Sequence, residues 1–283
     1  MEQQRKKMTV PEIQAKAARG EKLLMLTSYD YPIALLADRA GIDILLVGDS
    51  VGMTTLGYET TLPVTMDEMI HHAKAVRRGV QYALCIGDMP FMSYQTSIAE
   101  AVYNAGRFLK EAMMEAVKLE GGVEMAETVR AIVNTGIPVM GHIGLTPQSI
   151  NRLGGFKTQG RDAATAKQLL DDAAALEQAG AFAVLLEAIP DRVAQLIYER
   201  AGVPIIGIGA GPHCHGQLLI VHDLLGLFEK FTPRFAKRYA NLSEVIGKAF
   251  ADYKQEVEAG AFPGPEHCWT IKDDELAKLK AML

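Results

Sequence analysis

Cysteine is scarce in this chain: Cys85, Cys214 and Cys268 are the only three in 283 residues, and no two form a Cys-x-x-Cys pair. So odd and scattered a set excludes a disulfide framework or zinc knuckle and fits a reducing compartment. Cys85, inside an apolar run, reads as a small buried residue rather than a reactive thiol. Long hydrophobic runs are missing as well. No apolar stretch follows Arg5, Lys6 and Lys7, so neither a signal peptide nor a membrane partner is expected and the predicted location is cytoplasmic. Positive charge is also in deficit, with 29 Lys and Arg against 34 Asp and Glu, a net charge of -5 and no dense basic stripe. That balance argues against nucleic acid as a partner.

What is present is a large apolar fraction, 49% against 22% charged residues, as a globular chain with a sizeable core requires. Short apolar runs recur, each closed by Gly, Asp, Glu or Ser and followed by a segment with helical spacing. Strands are predicted near 23–27, 44–48, 82–87, 116–119, 138–142, 182–186, 204–208 and 217–221. Runs such as Ile44-Leu45-Leu46-Val47 and Ala183-Val184-Leu185-Leu186 are apolar on both faces, as for parallel strands covered by helices on one side and packed side chains on the other. Helices are predicted over 99–111, 124–135, 162–179 and 191–200, with Gly136 and Gly180 as stops. Eight βα units imply an α/β fold of the (βα)8 TIM-barrel type; a doubly wound open sheet is the alternative.

No linker, repeat or low-complexity tract divides the chain. It reads as a single domain over 1–283, with a short N-terminal helical extension, a helix near 242–259 following the eighth strand, and a short polar C-terminal tail. The long connections 50–66 and 144–160 are the places where a barrel puts function.

A barrel builds its active site at the carboxyl ends of its strands. Asp49, Asp88, Glu120 and Glu187 each stand directly after an apolar run. Carboxylates converging on one mouth repel one another unless a cation lies between them, and oxygen ligands suit Mg²⁺ better than Zn²⁺. The alternative is that these acids are helix N-caps, common at βα turns. Lys118, two residues before Glu120, shares its face and is either a structural counter-ion or an anchor for an anionic substrate.

These stretches also carry a resemblance. Leu46-Val47-Gly48-Asp49-Ser50-Val51-Gly52-Met53, then Thr61-Leu62-Pro63-Val64-Thr65, Asp88-Met89-Pro90-Phe91-Met92, Val117-Lys118-Leu119-Glu120-Gly121-Gly122, Gly141-His142-Ile143-Gly144-Leu145-Thr146-Pro147-Gln148 and Pro204 to Gly211 occur in the order of the ketopantoate hydroxymethyltransferase family. The resemblance runs from about Leu24 to Glu266. It implies a barrel of the phosphoenolpyruvate/pyruvate type that transfers a hydroxymethyl group from 5,10-methylenetetrahydrofolate to 3-methyl-2-oxobutanoate. The product would be 2-dehydropantoate, on the way to pantothenate.

Carried over by residue, the resemblance makes Asp49, Asp88 and Glu120 the ligands of one Mg²⁺ per subunit, Glu120 directly or through water. It gives Ser50 and Lys118 the substrate carboxylate, places Asp49, Asp88 and His142 against the substrate, and makes Glu187 the proton acceptor. A structural hydrogen-bonding role for His142 stays open. The family's assembly into homo-oligomers, typically decamers, is implied too. Two rivals remain: a lyase or mutase of the phosphoenolpyruvate mutase type, although no catalytic Cys motif is evident, and a noncatalytic metabolite-binding barrel.

The chain departs from the family pattern at two places. Ala112-Met113-Met114-Glu115-Ala116 replaces the usual Gly-containing turn before Lys118 and Glu120, and Pro212-His213-Cys214-His215-Gly216 forms an unusual cluster that reads as a polar loop.

Overall fold

The computed structural model describes residues 5–283. Eight parallel strands close into a barrel in simple chain order: β1 (Leu23–Thr27), β2 (Ile44–Val47), β3 (Leu84–Asp88), β4 (Ala116–Glu120), β5 (Val139–Gly144), β6 (Ala183–Glu187), β7 (Ile205–Ile208) and β8 (Gly216–Leu219). Closure is made by β1 pairing with β8, Met25 opposite Leu218. The predicted open-sheet alternative is thereby excluded.

Side-chain alternation sorts the strands into two layers. Ile44 and Leu46, Leu84 and Ile86, Met140, Leu185, Ile206 and Leu218 fill the barrel interior. Their neighbours Leu45, Val47, Cys85, Val117, Leu119, Val139, Val184 and Leu186 face the surrounding helices. The N-terminal helix Val10–Ala18, capped by the Thr9 side chain, seats Ile13 and Ala17 in the interior cluster and so plugs the amino-terminal mouth. What the plug closes below, the strand ends leave open above.

The same parity carries Asp88, Lys118, Glu120, His142 and Glu187 to the interior side, continuing the sequence of Ile86, Ala116, Met140 and Leu185. Strand ends differ slightly from expectation. Asp88, Glu120 and Glu187 are the last residues of β3, β4 and β6 rather than the first beyond them, because the ladder continues through Asp88 opposite Lys118, Glu120 opposite His142 and Glu187 opposite Ile208.

One expectation beyond the barrel strands needs correction. Val221 does not end β8; it starts the short helix Val221–Leu225. The helix predicted after the eighth strand is present as Leu242–Glu258, and none of its residues is buried. The tail beyond it, expected to be polar, carries a further helix, Asp273–Met282. Periodicity reported an apolar face correctly in Leu242–Glu258; it could not report whether that face was covered.

The departure before β4 is resolved locally. Helix Ile98–Ala112 ends at Met113, which takes the left-handed conformation (φ 53°, ψ 34°) in which glycine is usual. The side chain stays exposed, and the turn still delivers Lys118 and Glu120 into the mouth. His213-Cys214-His215 behaves as a structural loop: Cys214 is buried, and His215 Nδ1 accepts the Ile205 N–H at 3.0 Å. Burial pushes the Cys85 thiol up to about 12, in keeping with an inert residue.

Candidate active site

The carboxyl-terminal mouth opens into a cavity of about 660 Å³ whose inner end is lined by Asp49, Ser50, Asp88, Lys118, Glu120, His142 and Glu187. All of the residues singled out from the sequence therefore meet in one place. Lys118 Nζ lies 2.7 Å from Asp88 Oδ1, both side chains almost wholly buried. The Asp49 backbone N–H donates to Asp88 Oδ2 at 3.1 Å, which locks the end of β2 to the end of β3.

Gln148, quoted in the sequence motif but given no role there, organises the acids. Its Nε2 donates to Asp49 Oδ2 and to the Met89 carbonyl, each at 2.9 Å, while its backbone N–H donates to Glu120 Oε2 at 3.0 Å. The Tyr94 hydroxyl donates to Gln148 Oε1 at 2.7 Å and accepts the Glu120 N–H at 3.1 Å. Ser50 is likewise held, its hydroxyl 2.8 Å from that of Tyr29. Burial pushes the Tyr29 phenol up to about 12, so it keeps its proton for this contact.

His142 bridges the two sides of the mouth. Lys118 Nζ stands 3.1 Å from His142 Nδ1, and an ammonium can only donate, so Nδ1 accepts. Burial, reinforced by the Lys118 charge, holds the imidazole well below its ordinary range and hence neutral. Its proton then sits on Nε2, 3.2 Å from Glu187 Oε2. That contact is short but out of line for a hydrogen bond, which leaves Nε2 unpartnered.

Backbone geometry fixes Glu187 from both sides. Gly144 (φ 95°) lies so close to β6 that a Cβ there would come within 2.3 Å of the Glu187 carbonyl. This approach lets the Leu145 N–H donate to that carbonyl at 2.8 Å. Ala188 immediately follows at φ 47°, a conformation costly for a residue with a Cβ.

The electrostatics are unbalanced. Asp49, Asp88, Glu120 and Glu187 share one cation, Lys118, beside a neutral imidazole. Burial opposes the charge on Lys118, yet Asp88, Glu120 and Asp49 outweigh it and hold the ammonium protonated. Every acid moves the other way. Burial raises Asp49; burial with the neighbouring Asp49 charge raises Asp88 to about 7; burial raises Glu120 well above the carboxylate range and Glu187 to about 8.

Such a site is short of positive charge, and its donors are hard oxygens. Among the described residues Asp88 Oδ1 has the Lys118 ammonium at 2.7 Å but no aligned hydrogen-bond donor. Among the described residues, however, no three His, Cys, Asp or Glu side chains stand together as a ready-made metal cage. A divalent ion held by two carboxylates and otherwise by water and substrate fits both observations, since Mg²⁺ commonly binds in this way.

A closed parallel barrel with displaced titratable groups gathered at its carboxyl-terminal mouth defines an enzyme of the (βα)8 class. Solved structures agree on the fold. Phosphonopyruvate hydrolase in complex with oxalate and Mg²⁺ superposes with a TM-score of 0.60 at 13% identity, covering 97% of each chain. A 2,3-dimethylmalate lyase of the phosphoenolpyruvate mutase/isocitrate lyase superfamily gives 0.59 at 16% identity, over 96% of this chain and 98% of the other. More particularly, the chain belongs to the ketopantoate hydroxymethyltransferase family, whose model matches residues 7–265. The 3-methyl-2-oxobutanoate hydroxymethyltransferase of Moorella thermoacetica is 58% identical over 93% of this chain and 98% of its own length. That of Syntrophomonas wolfei is 55% identical over 96% and 99%.

Proposed function

We propose that this enzyme transfers a hydroxymethyl group from 5,10-methylenetetrahydrofolate to 3-methyl-2-oxobutanoate, giving 2-dehydropantoate for pantothenate synthesis. Its high identity to relatives of that name supports the acceptor. The observation that carries the mechanism is the division of the mouth into a charged side, Asp49, Asp88 and Lys118, and an opposite wall from which Glu187 projects with a raised pKa.

In this reading Asp49 and Asp88 hold Mg²⁺, with Glu120 joining directly or through water. When bound, the ion supplies Lewis acidity that polarises the 2-oxo group and acidifies the C3–H bond. Lys118 and the Tyr29-supported hydroxyl of Ser50 bind the acceptor's carboxylate, an arrangement suited to an anion. Glu187 takes the C3 proton. A carboxylate with a pKa near 8 is a far stronger base than an ordinary one, and His142 presents Nε2–H 3.2 Å from Glu187 Oε2, near the carboxylate before it takes the proton. The carbanionic C3 forms the new bond to the one-carbon unit of the folate, and water completes the hydroxymethyl group as tetrahydrofolate leaves.

Deuterium incorporation at C3 of 3-methyl-2-oxobutanoate, without folate, isolates proton removal. Exchange that then gives way to product when methylenetetrahydrofolate is added is the expected result. Binding without exchange would leave only a metabolite-binding barrel, and C–C cleavage would favour a lyase.

The same reading takes the chain as one cytoplasmic domain that self-associates into a homo-oligomer, with a decamer as the assembly. Helix Leu242–Glu258 supports self-association, for it exposes Val245, Phe250, Tyr253 and Val257 together. No described helix is long and apolar enough to cross a membrane.

A further inference from the structure

The cavity is much larger than the acceptor. Its volume of about 660 Å³ falls in the range of roughly 300–1,000 Å³ that encloses a drug-sized ligand, whereas a small branched oxo acid fills only the inner end. The outer half is built from different material. Phe156 and Phe231 stand at the mouth with ring centroids 6.1 Å apart, and Phe228 meets Phe231 edge-on at 5.3 Å. Lys230 and Arg234 line the rim, and Asp223 lies deeper, on the first turn after β8.

Asp223 is the group open to a partner. Its side chain is nearly buried, at 5% exposure, and lines the cavity. Yet among the described residues no hydrogen-bond donor addresses its carboxylate; Arg238 acts on it only through space. Burial raises it to about 6, which still leaves it mainly ionised at neutral pH. A carboxylate on the cavity wall without protein donors can accept from a ligand with two adjacent N–H groups.

We infer that Asp223 recognises the amino-pyrimidinone edge of the one-carbon donor, accepting from its 2-amino group and ring N–H while the phenylalanines contact its flat rings and Lys230 and Arg234 meet its anionic tail. This assignment rests on the folate reading above. A planar ring with an N–H pair at one end and carboxylates at the other matches a cavity that holds a buried carboxylate together with exposed aromatic and cationic residues. Tyr29 joins the two halves: its hydroxyl meets Ser50, and its ring lies 5.3 Å from that of His222, the residue beside Asp223.

The test uses the full chain with Mg²⁺ and Asp223→Asn, which keeps the shape but loses an acceptor. Tetrahydrofolate affinity by calorimetry should fall roughly 10- to 100-fold, the loss of a hydrogen bond to a charged group. Folate-independent exchange at C3 should change by less than about threefold, far less than the donor affinity. Calorimetry with 2-desamino-tetrahydrofolate provides the second arm. The wild type should lose affinity for that probe by a similar factor and the variant should lose little more, because each change removes the same contact.

Equal tetrahydrofolate binding by variant and wild type would overturn the assignment. So would a drop in melting temperature with unchanged donor affinity, which marks Asp223 as a structural support of its helix. If the wild type itself neither binds tetrahydrofolate nor uses the methylene form, the folate reading fails first, independently of Asp223.

Discussion

Replacing Glu187 by Gln should weaken catalysis and strengthen the fold at once. The folded pKa of about 8 stands against an ordinary value of 4.5, with burial the main cause and the Asp49 and Asp88 charges adding to it. Between those two values the folded protein keeps a proton that the unfolded chain has released, so its stability falls as pH rises and levels off above about 8. Gln carries no charge at any pH and escapes the penalty. Over the window from pH 5 to 8 the ceiling is about 4 kcal/mol, at 1.36 kcal/mol per pH unit. Because the side chain keeps 15% of its exposure and faces Lys118, a relative gain of about 1–2 kcal/mol by pH 9 is expected. Urea denaturation of the chelator-treated protein at pH 5 and pH 9 measures the gain. C3 exchange measured by NMR should meanwhile fall roughly 10²- to 10⁴-fold. A variant that exchanges at the wild-type rate, or whose stability relative to wild type is the same at both pH values, refutes the assignment of a buried base.

Other perturbations separate the metal side from the scaffold. Asp88→Asn should raise the Mg²⁺ concentration for half-maximal activity by roughly tenfold or more; an unaltered Mg²⁺ titration would make Asp88 only a counter-ion of Lys118. Gln148→Ala removes the side-chain donor to Asp49 and the Met89 carbonyl while leaving the backbone N–H that serves Glu120, and should cost roughly 2–3 kcal/mol in denaturant unfolding, whereas a loss near zero would mean that water replaces it. Met113→Gly should stabilise the chain by about 1 kcal/mol, because glycine takes the left-handed conformation without a Cβ penalty; a lower melting temperature would show that Met113 makes contacts worth more than its strain.

The charged half of the mouth was legible because strand alternation is strict. A spacing of two positions from Lys118 to Glu120 puts both inside the barrel whatever the helices do, and an acid at the end of an apolar run is visible in any single strand. Gln148 was not legible in the same way. Its contacts reach Asp49, 99 positions away, and Glu120, 28 positions away, through a loop whose path no local pattern specifies. Asp223 was hidden for a related reason, since the strand near 217–221 was expected to run two residues further than it does and the turn carrying Asp223 begins sooner. Helix Leu242–Glu258 marks another limit: an amphipathic repeat specifies a face that seeks cover, and the covering surface lies outside that repeat.

Lys118 explains why these separate features act as one site. Its ammonium touches Asp88, a proposed metal ligand, at 2.7 Å and His142, beside the proposed base Glu187, at 3.1 Å. By donating to His142 Nδ1 it fixes the tautomer that presents Nε2–H toward Glu187, and its charge helps keep that imidazole neutral. An arginine would reach Asp88 too, but its planar fork is larger and directs its donors along fixed lines, so it would not serve both neighbours from one compact nitrogen. Lys118→Arg should therefore impair C3 exchange even where Mg²⁺ still binds, and measuring the two separately distinguishes a pivot from a mere counter-charge. If exchange persists at the wild-type rate with arginine in place, the coupling between the two sides does not run through this residue.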